Sequence, residues 1–119
     1  MQIVRIQTNI RNVDIPDNIE EEVRYSLSSV MDLPPDKFLI IIEPAIRMNM
    51  GNRETPLAVV TLQTTRPSSQ TENDVYAKKL TAVLREHLKL DPAHILISFD
   101  YKDAKNFAVQ GKTIASLYV

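Results

Sequence analysis

The chain begins MQIVRIQTNI, and its terminal amine is the group with the most chemical promise. An α-amine has a pKa of about 8, nearer neutrality than lysine, and burial lowers it because desolvation disfavours the charged form. On the first residue of a buried strand, such an amine can act as a base near neutral pH. The next residue, Gln2, carries an amide and adds no basicity. Few other groups compete. Lys37 stands at the start of a later apolar run, where it is either a solvated residue or an attractor for an acidic ligand. His87 and His94 are the only histidines, and no carboxylate or histidine spacing around them suggests a metal site. Both read as surface residues. Glu20, Glu21 and Glu22 are consecutive, so on a helix they point in different directions and read as a solvated first turn, not an acid pair. Asp100, Lys102, Asp103 and Lys105 form a mixed-charge surface loop, and Gly51 and Gly111, the only glycines, build no phosphate-cradling loop. No cofactor and no metal are expected.

The elements that must position these groups belong to one domain. The chain has 119 residues, 44 % hydrophobic and 24 % charged, an ordinary globular balance with enough length for a single core. Fourteen basic and fifteen acidic residues leave a net charge of −1, which argues against a nucleic-acid partner needing a basic stripe. The absence of cysteine excludes disulfides, thiolate catalysis and sulfur-ligated metals. Arg5 interrupts the first apolar run and Gln7, Thr8 and Asn9 close it, so no signal peptide is read here. No apolar run is long enough for membrane insertion. The expected location is the cytoplasm, with export by an unconventional route as the extracellular alternative.

The sequence reads as a duplication. VRIQT (4–8) matches VTLQT (60–64) at a spacing of 56, and MDLPPDKFLIII (31–42) matches LKLDPAHILISF (88–99) at 57. Two pseudo-repeats, roughly 1–55 and 56–119, thus share the order strand, helix, Leu-Pro turn, strand. In the first, Ile3, Val4 and Ile6 form a strand. Pro16-Asp17 opens a helix, with Asp17 as cap and Ile19, Val23, Leu27, Val30 and Met31 at helical spacing. FLIII (38–42) is a continuous apolar run suited to a strand covered on both faces. In the second, LAVVTL (57–62) and HILISF (94–99) flank a helix over about 71–89 carrying Val75, Leu80, Val83, Leu84 and Leu88. RPSSQTEN (66–73) is polar and reads as a mobile loop, while RMNMG (47–51) and NFAVQGKTIASLYV (106–119) are candidate edge strands. The expected fold is α+β, a four-stranded mixed sheet with two helices on one face. Two helices cannot cover the sheet's other face, so an obligate oligomer is expected.

A family resemblance runs almost without gaps over the whole chain. It is carried by Thr8-Asn9, Val13-x-Ile15-Pro16-Asp17, Pro34-Pro35, Pro44, Met48, Gly51 and Pro56-x-Ala58, then by Asn73 to Tyr76, Leu88, Pro92, Ile97, Asn106 and Thr113. In these the chain resembles the macrophage migration inhibitory factor and D-dopachrome tautomerase family, within the tautomerase superfamily. The resemblance implies a homotrimer whose three sheets line a central channel. It also implies an enzymatic site in which methionine removal exposes a terminal proline, the general base of a keto–enol tautomerase acting on phenylpyruvate- or dopachrome-like substrates.

At each carried-over position this chain departs from that pattern. Gln2 stands at the proline position, and because glutamine is not small, Met1 is expected to stay. The substrate-binding lysine falls at Leu33, the isoleucine whose backbone grips substrate at Thr65, and the tyrosine and asparagine of the closing strand at Leu96 and Ser98. The aromatic supplied by a neighbouring subunit falls at Val109, and the Cys-x-x-Cys pair at Leu57 and Val60. No catalytic residue is carried over; Met1, Gln2, Leu33, Thr65, Leu96, Ser98 and Val109 mark a degenerate site. The sequence therefore reads as a cytokine-like or interaction protein with lost or strongly reduced tautomerase activity, partnered by a cell-surface receptor or another protein. The alternative is a tautomerase using the Met1 amine, with Lys37 or Arg47 as the substrate clamp.

Overall fold

A computed structural model describes residues 1–51 and 55–117. Its core is a strand–helix–strand sequence run twice. β1 (Gln2–Thr8), α1 (Ile19–Met31) and β2 (Phe38–Glu43) are followed by β3 (Ala58–Thr64), α2 (Gln70–Leu88) and β4 (Ile95–Tyr101). The sheet order is β2-β1-β3-β4, with β1 parallel to β2, β3 parallel to β4, and the two inner strands antiparallel. This is the α+β arrangement expected from the sequence, with β1 near the centre and its first residue flanked by both neighbours: Gln2 is in register with Phe38 on β2 and Thr64 on β3.

Strand alternation decides what is buried. Val4, Ile6, Val60 and Leu62 are fully covered on the helix side, where they meet Ile19, Val23, Leu27 and Met31 of α1 and Tyr76, Leu80, Leu84 and Leu88 of α2. Val75, assigned to this face from its apolar character, instead points outward at 47 % exposure. Its neighbour Tyr76 takes the inner position, because 76, 80, 83, 84 and 88 form the continuous helical stripe.

The opposite sheet face is mixed, not apolar throughout as the runs FLIII and HILISF suggest. Ile3, Leu39, Ile41, Val59 and Leu96 alternate there with Arg5, Gln7, Thr61, Gln63 and Ser98, and Arg5 pairs with Glu43 across β1 and β2. Leu39 and Leu96 are about half exposed, at 52 % and 50 %. Thr8-Asn9 serves as a clasp at the end of β1. Thr8 Oγ1 donates to Leu57 O (2.7 Å), while Asn9 accepts from Leu57 N (2.8 Å) and donates to Thr55 O (2.9 Å).

The two helices are anchored unequally. Ser69 and Glu72 form a reciprocal capping box at the start of α2, so residues 70–73 of the polar segment 66–73 are helix. At the start of α1 the cap position is Asn18, not Asp17, and its side chain makes no cap bond. Both helices end on a left-handed residue, Asp32 (φ 53) and Lys89 (φ 58). Each then enters a short 3-10 turn, Pro35–Lys37 or Pro92–His94, that leads into the next strand. The end of α2 lies against the start of α1, where His87 Nε2 is 3.5 Å from Glu22 Oε2. His87 is thus a contact between helices, not a free surface residue.

The candidate edge strands take a different form. Of 47–51, only Met50 makes a bridge. Residues 108–113 form a separate two-stranded ribbon, β5 (Ala108–Val109) with β6 (Lys112–Thr113), followed by the short helix α3 (Ile114–Leu117). The last two residues of 106–119 lie outside the described residues.

Candidate functional site

Three segments converge on the first residue of β1 because of the sheet topology. β2 is parallel to β1, so the turn that starts it, Leu33 to Lys37, lies beside Met1. β3 is antiparallel, so its exit, Thr65 to Pro67, arrives at the same end. Residue Ile114 of α3 closes the third side. The resulting cleft, about 520 Å³, is lined by Met1, Gln2, Leu33, Pro34 and Lys37 from the first half of the chain. Thr65, Arg66, Pro67 and Ile114 complete it. Val109, Gln110 and Leu117 extend this hollow on the side of Met1 and Lys37. A contiguous groove continues past Asp36, Phe107 and Val109 toward Leu39.

The cleft is positively charged over an apolar wall. Burial, and secondarily the Lys37 ammonium, hold the Met1 amine below its ordinary pKa of 8.0. Arg66 is fixed in place: Thr64 Oγ1 accepts from its backbone N–H (3.0 Å), and its Nη1 donates to Met31 O (2.7 Å) at the end of α1. It supplies the cation that the last turn of α1 lacks. Sequence reasoning placed Arg66 in a mobile loop. The bond to Met31 spans 35 residues and leaves no local signature. The signal that was legible, Ser69-x-x-Glu72, fixes where that loop ends.

Gln2 is the buried polar side chain of the site. It is 2 % exposed, on the helix side of β1, and its Oε1 has no hydrogen-bond partner. Leu33 is held by its backbone, whose N–H donates to Ser28 O (3.2 Å) and whose carbonyl accepts from the Ser28 hydroxyl. Its isobutyl side chain offers the cleft no charge.

Of the positions singled out from sequence, the structure brings together Met1, Gln2, Leu33, Lys37 and Thr65 in the cleft, with Val109 beside it. Val109 lines the adjoining hollow together with Met1 and Lys37. Leu96 and Ser98 are not part of this assembly. Leu96 lies in register with Val59, opposite Gln7, at the far end of β1, and Ser98 lies on the open face across from Thr61. Arg47 is also remote. It lines a different hollow with Asn9, Ile46 and Met48. The length of β1, about 3.3 Å per residue over seven residues, separates it from Met1.

The profile of the family described as Macrophage migration inhibitory factor (MIF) matches residues 1–115. The chain belongs to the macrophage migration inhibitory factor family. The macrophage migration inhibitory factor of Meriones unguiculatus is 23 % identical over 115 residues, covering 97 % of this chain and all of that protein. The D-dopachrome decarboxylase of Mus musculus is 24 % identical over 118 residues, 98 % of this chain and all of that protein. Among solved structures, macrophage migration inhibitory factor from Oncomelania hupensis superposes with a TM-score of 0.89 at 18 % identity, over 95 % of this chain and 82 % of that one. The Trichinella spiralis protein superposes with a TM-score of 0.88 at 20 % identity, over 93 % and 98 %. The likeness at this identity is one of fold. In this chain the N-terminal cleft carries the amide of Gln2, the side chain of Leu33 and the Met1 amine.

Proposed function

We propose that this member of the macrophage migration inhibitory factor family acts by binding, as a cytokine-like or interaction protein, with tautomerase activity absent or reduced at least a hundredfold. The observation that carries the reading is the burial of the Gln2 amide in the floor of the N-terminal cleft, where the resemblance places a basic proline. An amide cannot accept a proton near neutral pH, and loss of general base catalysis typically removes ~10²- to 10⁴-fold of rate. Leu33 supports the same conclusion, because it supplies no cation at the turn where a substrate carboxylate would be gripped. What remains is a small apolar cleft with the Met1 amine, Lys37 and Arg66 around it, suited to holding a small organic acid. The protein partner would meet the outer surface of a homotrimer.

A second reading rests on the Met1 amine, whose lowered pKa puts part of its population in the neutral, basic form. In that reading the chain is a keto–enol isomerase with a relocated base and Lys37 as its clamp. Conversion of an aryl pyruvate between keto and enol forms separates the two. The binding reading expects a rate indistinguishable from the buffer-catalysed background. Robust turnover that disappears when the terminal amine is acetylated would overturn it.

A further inference from the structure

The end of the sheet that carries Met1 gathers positive charge without a matching anion. Met1 lines each of the three hollows that adjoin there, and Lys37 lines two of them. Among the described residues, no carboxylate lines the two hollows that hold Lys37; Asp36 borders only the groove beyond. Arg66 donates to the Met31 carbonyl and acts on Glu72 at longer range. Lys37 forms no ion pair among the described residues, and its ammonium acts instead on the terminal amine. Burial and this neighbouring cation both favour the neutral amine over its charged form. A nucleophilic amine thus stands beside a cation that lacks an anion.

We propose that the Met1 α-amine is a modification site for carbon dioxide, captured as a carbamate whose carboxylate pairs with Lys37. Only the unprotonated amine reacts. Its lone pair attacks the carbon of carbon dioxide, the N–C bond forms as one C=O π pair moves to oxygen, and the nitrogen releases a proton to solvent. Nothing is oxidised or reduced. A group that was cationic or neutral becomes an anion, the charge state that Lys37 favours. The carbamate nitrogen is no longer basic, so capture removes the base on which the isomerase reading depends. The proposal itself requires neither turnover nor an acid ligand, and it stands or falls apart from both readings of the cleft.

The test equilibrates the full chain, its free Met1 terminus verified by intact mass, with isotopically labelled bicarbonate. Carbamate is trapped as its ester with a trialkyloxonium salt and located by the mass of the N-terminal peptide. At about pH 9 an ordinary α-amine is already mostly neutral, so differences there report stabilisation of the anion and not the supply of neutral amine. The ratio of carbamate to free amine is expected to be about fivefold higher in the chain than in the free peptide MQIVRIQ, the effect of one partly exposed ion pair. Lys37→Met is expected to return the ratio to the peptide's value, while Lys37→Arg, which keeps the cation, retains the excess. A chain carbamated no more than the peptide would overturn the proposal. An excess that survives in Lys37→Met, or is lost equally in Lys37→Arg, would overturn it as well, because the Lys37 charge would then have no part in holding the carbamate.

Discussion

At Gln2 packing and chemistry pull in opposite directions: the residue is nearly fully buried on the core side of the central strand, yet its amide oxygen is unpaired. Replacing it with proline, with methionine removal confirmed by mass, returns a basic secondary amine to this position. If the amine alone were limiting, Gln2→Pro would restore most tautomerase activity. Only slight recovery is expected, because Leu33 still offers no cation to a carboxylate; full recovery in the aryl pyruvate assay would show that this turn is dispensable. The Met1 amine makes a separate prediction. Its folded pKa lies below 8.0, so between the two values the unfolded chain holds more protons than the folded one. Stability contributed by this group therefore rises as pH climbs through the folded pKa toward 8, and is smallest below that window, where the half-buried amine must charge. Acetylation of the amine followed against pH is expected to show a midpoint below 8.0 in the folded chain. A midpoint at or above 8.0 would show that the amine is effectively solvated.

At the scale of elements, α1 and α2 look like copies and are held differently. α2 is 19 residues long with a capping box, whereas α1 is 13 residues long, lacks a side-chain cap at its start, and depends on Arg66 at its end. Amides of α1 are accordingly expected to exchange with solvent faster than those of α2. In an Arg66→Ala chain, the last turn of α1, residues 29–32, should exchange faster still, with α2 unaffected. Uniform exchange across both helices would contradict this. The strands and helices were legible because hydrophobic spacing and the Pro35 and Pro92 turns are local signals. The inward side of α2 was legible only in part: Val75 and Tyr76 are adjacent and both apolar enough for the stripe, and it is Tyr76 that continues the spacing of Leu80, Val83, Leu84 and Leu88 against the sheet. The gathering of the site was half legible. Met1, Leu33 and Thr65 were placed through the family resemblance, but Arg66 and Ile114 enter the cleft through contacts between distant segments, which spacing along the chain does not encode.

At the scale of the whole molecule, among the described residues the sheet leaves two open edges, β2 and β4, and half-exposed Leu39 and Leu96 at opposite corners of a mixed face. The apolar runs suggest a face requiring full cover; the register puts Ile3, Leu39, Ile41, Val59 and Leu96 on it, interleaved with polar residues. Association through edges and corners fits the homotrimer that the resemblance implies. Sedimentation at micromolar concentration is expected to give three times the 13.5 kDa chain mass, and a species of single-chain mass would rule this out. The cleft itself is assembled from both ends of the chain, Met1 and Gln2 closing against Ile114, with Leu117 on the adjoining side. During synthesis, then, the first residues leave the ribosome well before the segment that encloses them exists. Enzymes that trim or acylate a nascent terminus meet Met1 while it is fully accessible; those that arrive after folding meet it half-covered.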